Sequence, residues 1–286
     1  MISILYVHNK AINFKLKSVS LQKEKMPKVV IVPLDFSETS FNAAHYATDM
    51  YRNRLDITLV LYHFYAKAED IDIANNYLKS LKTELSVDCA NIETFSESGS
   101  DFILSLEAYS HVKAAYMIVM GLTGKSAITQ WFSGSNTLKM AEKNVCPVLI
   151  VPADAKYNGT ENILIASEMR YTEETPVLLA VKRILSDFKP NLHVLNVDDS
   201  HYISLTTGYK IERDKMEDLL SEFRPEFYFM RLFDFHEAIN LFVRDKGIDM
   251  IIIGPKFHGF FSKLFKTQHT KKMIYQSKVP VLAVHE

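Results

Sequence analysis

The chain has 286 residues, of which 48% are apolar and 23% are charged, as in soluble globular proteins that bury a core. This length predicts two domains of ordinary size. The net charge of −1 at pH 7 gives no overall attraction to nucleic acid or to an anionic membrane surface. No apolar run approaches the roughly 20 residues that a membrane-spanning helix needs, so we expect neither nucleic acid nor a membrane as a partner.

The two cysteines, Cys89 and Cys146, lie far apart and fit no metal-binding or Cys-x-x-Cys spacing. Cys146 stands in an apolar run and is expected to be a small buried hydrophobic residue. Sparse cysteine favours a reducing compartment. We therefore expect a cytoplasmic protein without a metal site.

Residues 1–25 precede the first predicted strand and carry five lysines against one acid, Glu24. Their apolar start is too short and has the wrong order for a signal peptide. Met26 stands just before a strong strand pattern. We interpret residues 1–25 as an N-terminal arm or a mis-assigned start, with Met26 as the natural first residue.

Apolar runs alternate with helical patterns along residues 26–151. The runs predict strands at 28–33, 57–65, 91–95, 115–120 and 148–151, with helices after Ser37, at 69–85 and 100–110, and from Thr137. Buried strands that alternate with helices predict right-handed crossovers and a parallel sheet with helices on both faces.

The same pattern then repeats at a constant offset of 133 residues. The offset relates Asp35 to Glu168, His63 to Asn196, Gly121 to Gly254 and Pro147 to Pro280. Such a register predicts an internal duplication. The predicted fold is α/β, with two tandem, doubly wound, parallel five-stranded sheets of Rossmann-like type: a first domain at 26–151, a linker at 152–160 and a second domain at 161–286.

The most informative segment follows the strand that ends at Met120. Its pattern is Gly121-x2-Gly124-x9-Gly134-Ser135, with Thr137 starting a helix. Glycines let the backbone approach a ligand, and N–H groups and hydroxyls at a helix N-terminus favour phosphate. Taken alone, the same residues would also fit a plain turn followed by a helix cap.

These residues resemble the ATP-binding pattern of the universal stress protein family. The segment from Val30 to Ser37, with Asp35, resembles the family's first strand, and the segment from Cys146 to Val151 resembles its last strand. The resemblance covers roughly residues 26–286 and identifies the chain as a tandem member. It implies ATP as ligand, with Mg²⁺ or Mn²⁺ left open, and a binding site made of Pro33, Asp35, Phe64, Met120, Gly121, Thr123, Gly124, Gly134, Ser135, Asn136 and Thr137.

The resemblance also assigns roles within that site. Asp35 and the Pro33 backbone would lie near the adenine and ribose, and Phe64 would flank the base. Residues 120–124 would line the ribose and phosphates, and residues 134–137 would hold the phosphates. Phe64 is larger than the aliphatic residue expected there, so it would either stack on the base or narrow the pocket.

The second unit departs from this pattern. At the 133-residue offset, Gly124 becomes Phe257, Gly134 becomes Thr267 and Ser135 becomes Gln268. Among the residues assigned to the ATP site, only Gly121 and Thr137 keep their type at this offset, as Gly254 and Thr270. Because side chains replace the glycines that allow close approach to phosphate, we expect the second unit not to bind ATP in the family manner.

Catalytic signatures are missing from the sequence. There is no Walker A motif, no Gly-x-Gly-x-x-Gly after a strand and no Gly-x-Ser-x-Gly elbow. We therefore expect an ATP-dependent regulatory or stress-response module with an unknown protein partner, and at most slow ATP hydrolysis or autophosphorylation. The alternatives are a nucleotide-free interaction scaffold or dimerisation module, and an ATP-using enzyme. The last strands would pair either within the chain or across a homodimer.

Overall fold

The structure is a computed structural model of the whole chain. It describes residues 27–65, 71–87, 91–122, 134–143, 145–167, 175–198, 207–231, 235–254, 274 and 277–284. These residues contain ten β-strands and seven α-helices. None of the described helices has the length and apolar character needed to cross a membrane.

Strands and helices alternate along most of the chain. The strands are β1 (Lys28–Leu34), β2 (Ile57–Tyr65), β3 (Ile92–Ser98), β4 (Met117–Leu122), β5 (Val148–Pro152), β6 (Asn162–Ala166), β7 (Asn191–Asp198), β8 (Glu226–Arg231), β9 (Met250–Ile253) and β10 (Val281–Ala283). The helices are α1 (Glu38–Met50), α2 (Ile71–Leu85), α3 (Phe102–Val112), α4 (Gly134–Ala141), α5 (Pro176–Phe188), α6 (Thr207–Leu220) and α7 (Phe235–Lys246).

All ten strands form one sheet in the order β3-β2-β1-β4-β5-β10-β9-β6-β7-β8. Every neighbouring pair is parallel except β5 and β10, which pair antiparallel from Val148↔Ala283 to Ile150↔Val281. Read from either end toward the middle, the two halves have the same strand order. The α/β prediction is confirmed, and the two predicted five-stranded sheets are the halves of one continuous sheet.

Both faces of the sheet are covered, as the uninterrupted apolar strands predict. Side chains alternate along β1 so that Val30 and Val32 join one core cluster while Ile31 joins the other. The cluster that contains Val30 also includes Val181 and Leu185 of α5, so it extends through both halves of the chain.

Local capping explains where two of the helices begin. The Ser37 side chain accepts a hydrogen bond from the Ser40 N–H at the start of α1. Thr175 accepts from Leu178 N–H at the start of α5, with Pro176 in the first turn. Helix α4 begins at Gly134, three residues before the predicted start, because Thr137 lies inside the first turn instead of capping it.

Residues 152–160, predicted as a linker, are packed against α1. Asn42 donates to the carbonyls of Pro152 and Ala155 and accepts from Lys156 Nζ. The rings of Tyr46 and Tyr157 meet edge to face, with 5.4 Å between centroids. This segment therefore holds a fixed position relative to the first half.

Candidate functional site

The carboxyl ends of β1 and β4 mark the point where the strand order reverses in the first half. The chain passes from β1 to β2 on one side and enters β4 on the other side of β1. In open α/β sheets, ligands bind in the crevice outside such strand ends. The predicted residues Pro33, Asp35, Met120 and Gly121 all lie at this edge.

Strands β1 and β4 pair only at Val30↔Met117 and Ile31↔Ile118. The second half has a further pair, Ile165↔Ile252, whose counterparts 133 residues earlier are Val32 and Val119. The first-half pairing therefore ends one step sooner, although both strands continue beyond it.

Pro33 explains the early end of this pairing. The Val29 carbonyl accepts the Tyr116 N–H at 2.7 Å, so Val29 faces β4. Alternate residues of a strand present their polar groups to the same neighbour, so Ile31 and Pro33 also face β4. Proline has no N–H to donate, whereas the equivalent Ala166 has one. The ladder between β1 and β4 therefore ends after Ile31↔Ile118, while each strand stays paired with its other neighbour.

Asp35 follows β1 directly and has one satisfied and one unsatisfied oxygen. Its Oδ1 accepts from the Ser37 backbone N–H at 3.0 Å and from the Ser37 hydroxyl. Its Oδ2 is buried and has no hydrogen-bond partner among the described residues. A buried oxygen without a partner is costly, so this atom is suited to accept a hydrogen bond from a ligand.

The turn after Asp35 is held in an unusual backbone conformation. Phe36 has a φ of 61°, a left-handed value that is uncommon for a bulky residue. Its ring stacks on His63, with 4.4 Å between centroids. Backbone strain of this kind concentrates at functional sites.

His63 supports this turn and does not project into the crevice as a ligand. It is 9% exposed, and its Nδ1–H donates to the Leu34 carbonyl at 2.7 Å. In the second half, Asn196 donates to the Ser167 carbonyl at the equivalent position.

Two hydroxyls that the family resemblance does not assign to the site also lie at this edge. Ser37 Oγ is 3.1 Å from Thr39 Oγ1 and is bonded to Asp35. The sequence does carry a sign of this cluster, the spacing Asp35-x-Ser37-x-Thr39 at a helix start. Alternate residues of a turn that caps a helix can bring their hydroxyls to one carboxylate.

Gly121 is enclosed by the start of α1. A Cβ built on Gly121 would lie 2.3 Å from the Thr39 carbonyl oxygen, a separation that no side chain tolerates. Glycine at this position is therefore required for the close packing of α1 on β4, independently of any ligand.

Helix α4 presents its N-terminus near the same edge. Gly134 and Ser135 lie in its first turn, where backbone N–H groups are free of intrahelical partners. Thr137 is fully buried and its Oγ1 donates to the Gly121 carbonyl at 2.9 Å. The predicted Asn136 is half-buried and lies in the same turn.

Phe64 and Met120 belong to the core that contains Phe102. Phe64 is 7% exposed, and its ring meets that of Phe102 edge to face at 5.9 Å. A Cβ on Gly99 would lie 2.9 Å from the Phe64 ring, so Gly99 makes room for it. Met120 is 1% exposed. Any contact of these two residues with a ligand would involve their backbone or one edge of the side chain.

Thr123 and Gly124 lie outside the described residues. Within the described part of the chain, no three His, Cys, Asp or Glu residues form a group that could hold a metal ion. Burial raises the pKa of the Cys146 thiol to about 12, so this thiol stays protonated and is not a nucleophile at neutral pH.

Sequence comparison matches residues 26–152 to the family model described as the Universal stress protein family. No curated protein matches the chain.

Solved structures with the same fold cover nearly the whole chain. A universal stress protein from Archaeoglobus fulgidus DSM 4304 is 16% identical, covers 89% of this chain and 97% of its own, and has a TM-score of 0.61. A functionally unknown protein from Pseudomonas aeruginosa PAO1 is 13% identical, with coverages of 91% and 93% and a TM-score of 0.62. The cytoplasmic domain of a prokaryotic cation chloride cotransporter is 9% identical, with coverages of 91% and 95% and a TM-score of 0.50. At these identities the likeness is one of fold.

Proposed function

Because residues 26–152 match the model of the universal stress protein family, we propose that the first half of the chain binds ATP at the edge formed by β1, β4 and α4. ATP acts there as a regulatory signal and is not consumed in steady turnover. The proposal rests on the groups at the carboxyl ends of β1 and β4, where the ladder between these strands stops before Pro33.

The buried Oδ2 of Asp35 is the observation that carries this proposal. Its partner oxygen is already bonded to Ser37, so the carboxylate is fixed in direction while one acceptor is left over. The exocyclic amine of adenine and the ribose hydroxyls are hydrogen-bond donors of the kind that this acceptor needs. Binding would remove the cost of the unsatisfied oxygen.

The phosphates are assigned to the N-terminus of α4. The backbone N–H groups of Gly134 and Ser135 lie in its first turn, where the helix dipole favours negative charge. Thr123 and Gly124 complete this half of the site by the family resemblance. Their glycine and hydroxyl pattern is absent from the second half, where Lys256 and Phe257 replace them.

The second half is proposed as a structural partner with no ATP of its own. In addition to its altered loop, the extra pair Ile165↔Ile252 carries the β6–β9 ladder one step further. We propose domains at 26–151 and 161–286 with the packed segment 152–160 between them. The tandem arrangement then places the two last strands, β5 and β10, against each other inside one chain.

Regulation would follow from contact of the nucleotide with the Gly121–Thr137 loop, which would change the surface that a protein partner meets. This role needs no catalytic base. A cytoplasmic location fits the free Cys146 and the sparse cysteines.

Titration calorimetry with ATP on wild type and Asp35→Asn tests the site directly. The asparagine keeps the shape and the acceptor to Ser37, but it removes the charge and replaces one acceptor oxygen with a donor. Loss of a charged hydrogen bond should weaken ATP affinity by roughly 10- to 100-fold. Glu168→Gln, at the equivalent position of the second half, is the matched control and should leave affinity unchanged. Equal affinity in all three proteins would refute the site, and no binding by wild type would favour the interaction scaffold.

A further inference from the structure

Thr137 is assigned by resemblance to the group that holds the phosphates, yet its surroundings do not suit a ligand contact. The side chain is fully buried, and its hydroxyl already donates to the Gly121 carbonyl at 2.9 Å. A hydroxyl has one proton to donate. To donate to a phosphate, Thr137 would have to give up its hydrogen bond to the Gly121 carbonyl.

The Thr137–Gly121 bond joins two elements that also meet through apolar packing. Helix α4 lies against the sheet through Leu138, Met140 and Ala141, all buried. Such contacts hold the helix down but are tolerant of sliding, because apolar contacts are not directional. A hydrogen bond from the first turn of α4 to the end of β4 fixes where the helix begins.

Gly121 is itself held from the opposite side. Its backbone lies so close to α1 that a Cβ built on Gly121 would be 2.3 Å from the Thr39 carbonyl oxygen. The carbonyl that Thr137 binds therefore belongs to a residue clamped against α1. Through Gly121, the start of α4 is placed relative to α1, which carries Ser37 and follows Asp35.

The second half supplies an independent comparison. There Gly124, Gly134 and Ser135 are replaced by Phe257, Thr267 and Gln268, while Gly254 and Thr270 keep the glycine, the threonine and their spacing of 16 residues. If this glycine and threonine served only to bind phosphate, they would have no function in the second half, where the phosphate pattern is lost. If they place a helix on a strand, they keep a function there.

We propose that Thr137 is a positioning residue: its hydrogen bond to Gly121 sets the N-terminus of α4 at the end of β4. The consequence for ATP rests on the proposed function, because Thr137 acts on the phosphates only through the position of α4. The bond itself does not depend on nucleotide.

The test compares Thr137→Val, which keeps the shape but lacks the hydroxyl, with Thr137→Ser, which keeps the hydroxyl. In ligand-free protein, the valine variant should exchange the amide protons of residues 138–142 about tenfold faster than wild type, as expected for the loss of one hydrogen bond. Its ATP affinity should fall about tenfold while adenosine affinity stays unchanged. Serine should restore both. Thr137→Ala, made alongside, serves if valine does not fold.

The proposal is overturned if Thr137→Val weakens ATP binding with unchanged exchange at 138–142, since the hydroxyl would then contact phosphate directly. If wild type binds no ATP, the proposed function fails, and the exchange comparison in ligand-free protein still decides whether the bond positions α4.

Discussion

Pro33 ends the pairing of β1 with β4 because it has no N–H to donate. Its position faces β4, and without an N–H the ladder stops after Ile31↔Ile118. The second half keeps an alanine at the equivalent position and pairs one step further. The difference between the two halves at this step therefore comes from a single backbone hydrogen.

Pro33→Ala should let the ladder extend toward Val119. The new amide at residue 33 should be protected from hydrogen exchange to an extent similar to that of Ala166, which serves as the internal reference. Unfolding free energy should change by less than about 1 kcal/mol, because the gained bond offsets the lost rigidity of proline in the unfolded chain. An alanine amide that exchanges at the rate of an exposed residue would contradict this explanation of the ladder.

His193 on β7 is a buried titratable group outside the site. It is 6% exposed and its Nδ1 has no hydrogen-bond partner among the described residues. Burial lowers the pKa of His193 most strongly. The charge of Glu226 raises this pKa and that of Lys246 lowers it further, so the net shift is downward. Tyr228 and Phe242 pack against the ring, so the neutral imidazole is the form that the fold favours.

A lowered folded-state pKa means that the unfolded chain binds the proton more readily. The contribution of His193 to stability is present above its unfolded pKa of about 6.5 and is lost as pH falls below that value. His193→Val introduces the residue found at the equivalent Val60. Urea unfolding at pH 7.5 and 5.5 should show a smaller loss of stability in the variant than in wild type. Identical pH dependence in the two proteins would contradict the assignment.

At the scale of elements, the contact between α1 and β4 depends on Gly121. An alanine there would place its Cβ 2.3 Å from the Thr39 carbonyl oxygen, which is backbone and cannot rotate away. We expect Gly121→Ala to cost about 3 kcal/mol or more in unfolding free energy, since α1 must shift.

Gly247→Ala is the matched control for this substitution. Gly247 has a positive φ of 58° but no atom within 4 Å of a built Cβ, so only backbone strain opposes alanine, at about 1–2 kcal/mol. Urea denaturation should therefore rank Gly121→Ala as the more damaging change. The reverse ranking would mean that α1 can move away from β4 at little cost.

The apolar runs of the sequence predicted most strands, because a buried parallel strand leaves a continuous hydrophobic segment. The start of α4 was predicted three residues late, because Thr137 looks like a cap in sequence and is bonded to Gly121 through contact across the fold. Asp35 was assigned to the site by resemblance. That one of its carboxylate oxygens is buried without a hydrogen-bond partner among the described residues follows from the folded structure, and no sequence pattern encodes it.

At the scale of the whole molecule, a polar cluster joins the two halves at the amino end of β1. Asp187, at the end of α5, accepts from Lys28 Nζ and from the Tyr116 hydroxyl. Burial raises the pKa of Tyr116 above its usual value, so the phenol remains a donor. Together with the β5–β10 pairing, this contact makes the second half part of the framework around the first.

Asp187→Ala should remove the acceptor that Lys28 and Tyr116 share. In the ion pair between Lys28 and Asp187, the lysine side chain is 17% exposed and the aspartate side chain is 13% exposed. Leaving a largely buried ammonium without its carboxylate should cost about 2–3 kcal/mol in unfolding free energy. Asp72→Ala, at an exposed position of α2, is the control and should stay within about 0.5 kcal/mol of wild type. Chemical denaturation that found the two variants equally stable would show that the halves are held together without this cluster.

The central claim is that the molecule has one nucleotide site, in its first half. Native mass spectrometry of the full-length protein with saturating ATP measures the number of ligands on each chain directly. The account predicts one ATP per chain in wild type and in Glu168→Gln, and for Asp35→Asn an ATP concentration at half-occupancy roughly 10- to 100-fold higher. Two ATP molecules per chain, or none, would contradict it.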